Sequence, residues 1–510
     1  MIIVRASGFL FDEQIRYPAW EATNNQLRHW LETLNLGGVI LLGGSAAELA
    51  LKAQMLQKWA KIPLFIAADI EEGVGQRFPG ATRFPPPMAL GDIARNHLSL
   101  GLDYAQQMGS ITAQEALSIG INWILAPVVD VNNNPDNPVI NIRAFSDNPE
   151  IVAHLSQAFI KGAQAFPVLT TAKHFPGHGD TSTDSHLDLP IIPHTKERLE
   201  SLELLPFQAA IASGVDSIMT AHLSIPAWDK DYPATLSKTI LTEQLRQNLG
   251  FEGLIITDAL IMGGITKFTE PEEVAVRAIE AGADILLMPT NPVVAIEAIY
   301  RAVETGRLTE SRIRDSLGRI ARAKEKFSAK DGDSFLSQLS QPQAIQLVKD
   351  ILKESLKCSG SLPIKPLQNA RNLIIVDDLL NCDFLDRQSA SVTIPRELGY
   401  QLELMDQTTL ANFKADKPTL LQIFIRGNPF RGSAGLNDLV KSIYHNLLES
   451  KQLEALVIYG SPYVLDWVND INLPWVFSYG QMPTAQELAL KTLFSISQEN
   501  ADKRDSFIDN

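Results

Sequence analysis

The chain has 510 residues and carries 44 lysines and arginines against 59 aspartates and glutamates, a formal net charge of −15. That balance argues against a broad basic face for nucleic acid, and the length exceeds the ~250–300 residues that one hydrophobic core usually serves. Only two cysteines are present, no run approaches the ~20 apolar residues of a membrane span, and the first residues lack a secretory apolar core, so a cytoplasmic protein without membrane or nucleic-acid partners is expected.

In chain order, short β-branched or apolar runs occur at 2–6, 38–42, 64–69, 123–130, 168–173, 215–222, 254–258 and 284–288. Several are apolar throughout, the pattern of parallel strands buried on both faces. Amphipathic stretches such as 46–60, 196–213, 272–281 and 310–327 lie between them. This alternation predicts a (β/α)8 TIM barrel with enlarged loops over residues 1–335. Polar residues follow Phe327, and a helix is predicted over 343–357, making 336–360 a linker and connecting helix. Strands near 372–377, 420–425, 455–459 and 475–478, with helices at 436–449 and 484–494, predict a smaller layered α/β (αβα sandwich) domain over 361–510. No short-period repeat or low-complexity tract interrupts this order.

Barrel enzymes carry their chemistry at the C-terminal ends of the strands. The fifth such end reads Lys173-His174-Phe175-Pro176-Gly177-His178-Gly179-Asp180-Thr181-Ser182-Thr183-Asp184-Ser185-His186. Three of the nine histidines fall here, a concentration that a merely solvated loop rarely shows. His174 and His178 are four apart, but Phe-Pro-Gly between them opposes the helix that a zinc pair at that spacing needs. Asp184 two residues before His186 suits a carboxylate that fixes an imidazole tautomer for proton exchange. At the seventh end, Asp258 follows a very apolar run; it is either a helix N-cap or a carboxylate nucleophile. Asp69 with Glu71, Glu72 and Arg77, Asp130 with Asn132, and Arg143 in Asn-Ile-Arg-Ala-Phe-Ser occupy further strand ends and suit contacts to sugar hydroxyls or an anion. His222 is either a site residue or a hydrogen-bonded support.

Lys-His-Phe-Pro-Gly-His-Gly-Asp-x-x-x-Asp-Ser-His, the Asp69–Arg77 stretch, Arg-Ala-Phe-Ser and Thr-Asp-Ala-Leu-x-Met together resemble glycoside hydrolase family three, in particular its β-N-acetylglucosaminidase (β-hexosaminidase) branch. The resemblance covers the barrel, about residues 1–335, and extends in pattern to the second domain. It implies a retaining exo-β-N-acetylglucosaminidase with no cofactor and no metal, acting on a small-molecule glycoside such as a peptidoglycan fragment or chito-oligosaccharide. By the same resemblance Asp258 is the nucleophile, His186 the acid/base and Asp184 its partner, while Asp69, Arg77, Arg143, Lys173 and His174 bind the terminal sugar. One departure stands out: where the family reads Asp-Gln-Glu-Gly-Gly, this chain has Asp69-Ile70-Glu71-Glu72-Gly73, which puts an extra acidic group at the expected rim of the pocket.

The expected chemistry follows that of glycosides: Asp258 attacks the anomeric carbon, and His186 protonates the leaving oxygen and then activates water. A histidine acid/base presents no second anion to the acceptor, so phosphorolysis is an alternative, as is a β-glucosidase on the same scaffold. Two further classes stay open: a non-catalytic sugar-binding protein, and a metal-dependent hydrolase built on the histidine loop. Oligomeric state is not encoded in any motif.

Overall fold

The computed structural model describes residues 1–327, 336–406, 408–426, 438–467 and 473–495, which form two compact units that divide at Gln346/Leu347. The polar stretch 328–335 and positions 436–437 of the expected helix lie outside the described residues.

In the first unit the apolar runs become strands β1 (Ile2–Ser7), β2 (Gly38–Leu42), β3 (Phe65–Ala68), β4 (Trp123–Ile124), β5 (Leu169–Phe175), β6 (Ser217–Thr220), β7 (Leu254–Ile256) and β8 (Leu286–Leu287). Each pairs in parallel with the next through β7, and β1 also pairs with β8. A parallel bridge between Ile256 and Ile285 joins the two ends, so the sheet closes as a barrel. Its interior is packed by Ile3, Ile40, Phe65, Trp123, Leu169, Met219, Leu254 and Leu287. The indole of Trp123 donates to Thr171 Oγ1 at 2.9 Å and Ser217 Oγ at 3.1 Å, so the one polar edge of that ring is satisfied inside the barrel.

Two strands depart from the sequence pattern for identifiable reasons. The fourth is shorter than the run 123–130, because Pro127 has no N–H to give to the ladder; the chain rejoins β5 through a single bridge, Val128 to Lys173. The fifth is longer at its C-terminal end, running past Lys173 to take in His174 and Phe175. The expected helix at 196–213 is present as a helical run with a π turn at Leu199–Glu203. The helix at Ala46–Trp59 starts with the reciprocal bonds of a capping box between Ser45 and Glu48. Helices Leu98–Ser118 and Pro149–Ala163 pack against one another.

The second unit holds strands β9 (Lys357–Ser359), β10 (Arg371–Ile375), β11 (Gln401–Met405), β12 (Thr419–Ile425), β13 (Leu453–Gly460) and β14 (Trp475–Ser478), in the order β11-β10-β12-β13-β14-β9. All pairings are parallel except that of β9 with β14. Ile374, Leu420, Phe424, Val457, Tyr459, Val476, Leu490 and Leu493 fill its core. β9 and β11, the two strands without a sequence signal, are the sheet's edges, where most side chains meet solvent and no apolar run is required.

Candidate active site

Strand direction collects the titratable residues at one rim of the barrel. Lys173 and His174 lie in the last turn of β5, Asp69 follows β3, His222 follows β6 and Asp258 follows β7. β5 is buried along its whole length, so the Lys173 ammonium, 1% exposed, has to be paired. It donates to Asp69 Oδ1 at 2.7 Å and lies 2.6 Å from Glu71 Oε1. Glu71 in turn takes the Arg143 guanidinium in a two-pronged contact, with both bonds 2.8 Å long. Two cations thus face two carboxylates. Burial raises the Glu71 pKa, but Arg143 and Lys173 outweigh it and hold the carboxyl well below the usual carboxylate range. For Lys173 burial works downward, yet Asp69 and Glu71 carry the ammonium above its ordinary value. Asp69 keeps a third of its side chain exposed and Arg143 a fifth. Arg77 supports this corner from behind, donating from Nε to the main-chain carbonyl of Asp69 at 3.1 Å.

Asp130 organises the histidines. Its Oδ2 lies 2.7 Å from His174 Nδ1, and its carboxylate also accepts the backbone N–H groups of His174 and, at 2.7 Å, His178. Burial raises the Asp130 pKa, but His174 and these donors bring it below its ordinary value. His178 is buried between Thr181 Oγ1 at 2.9 Å and Ser185 Oγ at 2.8 Å, and burial pushes its pKa down to about 4. His222 bridges Thr235 Oγ1 and the Ala259 carbonyl, also with a pKa lowered by burial. With both its ring nitrogens engaged, it serves as a support.

Asp184 and His186 meet as their spacing suggests. Asp184 Oδ1 accepts the backbone N–H of His186 at 2.8 Å and faces its Nδ1 at 2.9 Å, an Asx turn that fixes the ring to its own loop. Asp184 is buried while the His186 ring is a quarter exposed. With Nδ1 held by the carboxylate, proton exchange falls to Nε2. Asp258 accepts the Ala259 N–H at 2.7 Å. Burial raises its pKa, but His174, His222, that N–H and His186 together lower it below the ordinary aspartate value. An anion at this position, with imidazoles around it, suits a nucleophile; it begins no helix, so the N-cap alternative does not apply.

Two sequence expectations change, and the metal alternative for the histidine loop loses its geometry. Glu72 is not at the rim: it is 1% exposed and pairs with Arg83 at 3.3 Å, because the turn after β3 sends alternate side chains to opposite sides. Asp130 is spoken for by the His174 ring and the main-chain N–H groups of His174 and His178. Neither does the histidine loop form a metal pair: His178 has both ring nitrogens bonded, and the rings of His174 and His178 stand 6.1 Å apart. Among the described residues one group of possible metal donors exists, Asp180, His194 and Glu203. Arg198 already brings a positive charge to both of its carboxylates, at 3.5 and 3.2 Å. Sequence reasoning ranked Glu71 below Asp69, although it is the hub that joins Lys173 to Arg143; its spacing of two from Asp69 was the available signal.

Residues 10–323 match the family model described as "Glycosyl hydrolase family 3 N terminal domain", and residues 363–495 match "Bacterial Glycosyl hydrolase family 3 C-terminal domain". The chain is 35% identical over 392 residues to "Beta-hexosaminidase A" of Pseudoalteromonas piscicida, covering 69% of this chain and 64% of that relative. It is 29% identical over 367 residues to "Beta-N-acetylglucosaminidase/beta-glucosidase" of Cellulomonas fimi, covering 68% of this chain and again 64% of the relative. The match thus spans a little under two thirds of each of these proteins. Among solved structures, a glycoside hydrolase family 3 beta-N-acetylglucosaminidase from Paenibacillus sp. str. FPU-7 superposes with a TM-score of 0.78 at 28% identity, covering 97% of this chain and 95% of that one.

Proposed function

The chain belongs to glycosyl hydrolase family 3, and from that premise we propose that it removes terminal β-linked N-acetylglucosamine from small glycosides with retention of configuration. The observation that carries the reading is the convergence of an anionic Asp258 and the Asp184–His186 dyad at one rim of the barrel, with His186 close enough to act on the charge of Asp258. In the first step an Asp258 oxygen bonds to the anomeric carbon as the glycosidic bond breaks. The His186 Nε2 proton goes to the departing oxygen, and Asp184 stabilises the positive ring before transfer. In the second step water attacks the same carbon, its proton returns to His186, and the Asp258 carboxylate leaves. Asp69, Arg143, Lys173 and His174 hold the sugar, with Arg77 bracing Asp69.

The names of the two relatives and the FPU-7 enzyme support the N-acetyl sugar. Peptidoglycan fragments or chito-oligosaccharides are the natural substrates we propose. The two cysteines, both unpaired as disulfides, support action on glycosides in a reducing compartment. A second reading, hydrolysis of β-glucosides, is supported by the double name of the Cellulomonas fimi relative. Phosphorolysis has support in the histidine, since no second carboxylate repels an incoming anion. One assay separates these: nitrophenyl β-glycosides of N-acetylglucosamine, glucose and xylose, each with and without phosphate. The N-acetylglucosaminide should be hydrolysed fastest, with free sugar as product in either buffer. A glucoside preference, or sugar phosphate as the main product, overturns the corresponding part of the proposal.

A further inference from the structure

The dyad loop is gripped from two sides, and one grip comes from the nucleophile's own turn. Five residues after Asp258, the backbone N–H of Gly263 donates to the His186 carbonyl at 3.0 Å, and that of Gly264 to the Ser185 carbonyl at 3.1 Å. No side chain fits here. A Cβ on Gly263 would lie 2.6 Å from the Leu187 carbonyl oxygen and 2.8 Å from that of His186; a Cβ on Gly264 would lie 2.8 Å from the Ser185 oxygen. Those neighbours are backbone atoms and cannot rotate aside. The turn itself is fixed to the barrel, since Leu260 N–H donates to Leu287 O at 2.9 Å and His222 Nε2 meets Ala259 O at 3.0 Å. From the other side, His178, anchored on Asp130, holds Ser185 Oγ at 2.8 Å.

We infer that Gly263, Gly264 and the His178–Ser185 bond are positioning elements that set where His186 stands relative to Asp258. The inference rests on the proposed roles of those two residues. Both catalytic groups are then referenced to one rigid turn, although they come from different strands. Displacing the dyad by the fraction of an ångström that a methyl group requires should misplace the proton donor without touching the nucleophile. A misplaced donor matters where the departing oxygen needs a proton and hardly at all where it does not.

The test uses the full chain and three variants: Gly263→Ala, Gly264→Ala and Ser185→Ala, the last removing only a hydroxyl. Single-turnover rates are measured on N,N′-diacetylchitobiose and on dinitrophenyl N-acetylglucosaminide, and a 5-fluoro sugar is used to label the enzyme. Positioning predicts that each variant slows the disaccharide by about 10–100-fold, that the dinitrophenyl substrate changes less than about threefold, and that Asp258 still takes the label. Lys267→Ala, which breaks an exposed ion pair to Asp188 and adds no atom beside the loop, should change neither rate. Equal losses on both substrates in Ser185→Ala, or no loss in all three variants, overturn the inference. Failure of the wild-type chain to take the label at Asp258 would instead defeat the catalytic reading on which it rests.

Discussion

Two buried ion networks occupy opposite ends of the barrel, and their chemistry is alike. Where the strands begin, Asp284 stands before β8 and meets Arg246, Arg312 and Arg319, with Ser316 donating to it at 2.5 Å. Asp216, before β6, takes Lys326 at 2.8 and 2.9 Å. Where the strands end, Asp69 and Glu71 take Lys173 and Arg143. Both networks obey the rule that buried charge must be paired. The difference lies in what is left over. Asp284 has no exposed surface, and its oxygens are consumed by arginines, a serine and the Ile255 N–H. The network at the mouth leaves a third of the Asp69 side chain and a fifth of Arg143's exposed and borders His174 and Asp258. Burial and pairing by themselves therefore do not mark a site; the direction of the strands does, because the loops long enough to carry proton-exchanging groups follow the strand ends.

That contrast is open to test, and the largest effect should come from the mouth. Asp258→Asn removes the proposed nucleophile and should cut turnover of every substrate by about three or more orders of magnitude while the melting temperature stays close to that of the parent. Calorimetry beside initial rates checks both halves. A turnover within tenfold of the parent would remove Asp258 from the mechanism.

His186→Ala should slow disaccharides by about two to four orders of magnitude but affect bond cleavage in dinitrophenyl substrates far less, with azide restoring their turnover by attacking the intermediate. Asp184→Asn should give a milder version of the same profile. Uniform losses and no azide effect would make the histidine structural.

At the opposite end the signature should reverse. Asp284→Ala leaves three arginines around a vacated site and should destabilise folding by about 3 kcal/mol, while kcat of the folded fraction stays within about twofold. Urea unfolding with active-site titration reads both quantities, and a kinetic loss without a stability loss would erase the contrast.

The smallest effect concerns pH. His178 is held neutral with its pKa lowered to about 4, against about 6.5 in an unfolded chain. A depressed pKa means that its contribution is complete above about 6.5 and is lost as pH falls toward 4. Roughly 2 kcal/mol should be gone by pH 5. Replacing His178 by Gln should flatten that part of the stability profile; an unchanged profile would mean that the imidazole titrates normally. Asp258, lowered below the ordinary aspartate value by the imidazoles and the N–H around it, should keep the acid limb of kcat/KM below the usual aspartate range.

Much of this molecule was legible before folding. The fifth strand announces itself by the β-branched run 168–173, and the Asp184-Ser185-His186 turn is local chemistry: a carboxylate two residues before an amide closes on it in any loop that permits the turn. The strands missed in the second unit, β9 and β11, lie at sheet edges where solvent removes the need for a pattern.

Composition and periodicity thus determined the barrel, the α/β character of the second unit and the local Asp184–His186 pair, because burial on two faces and a two-residue turn are properties of short segments. Tertiary structure alone decided the rest. Glu72 and Glu71 are adjacent and chemically identical, yet one is turned to Arg83 and the other to Lys173 and Arg143. Asp130 and Asp69 each follow a strand, yet one is consumed by histidines while the other keeps a face in solvent. Gly263 and Gly264 gain their meaning only where β7's turn meets the loop after β5. Which carboxylate is left with open coordination depends on partners brought from distant segments, and the free energy of pairing a buried charge is fixed only once those partners arrive.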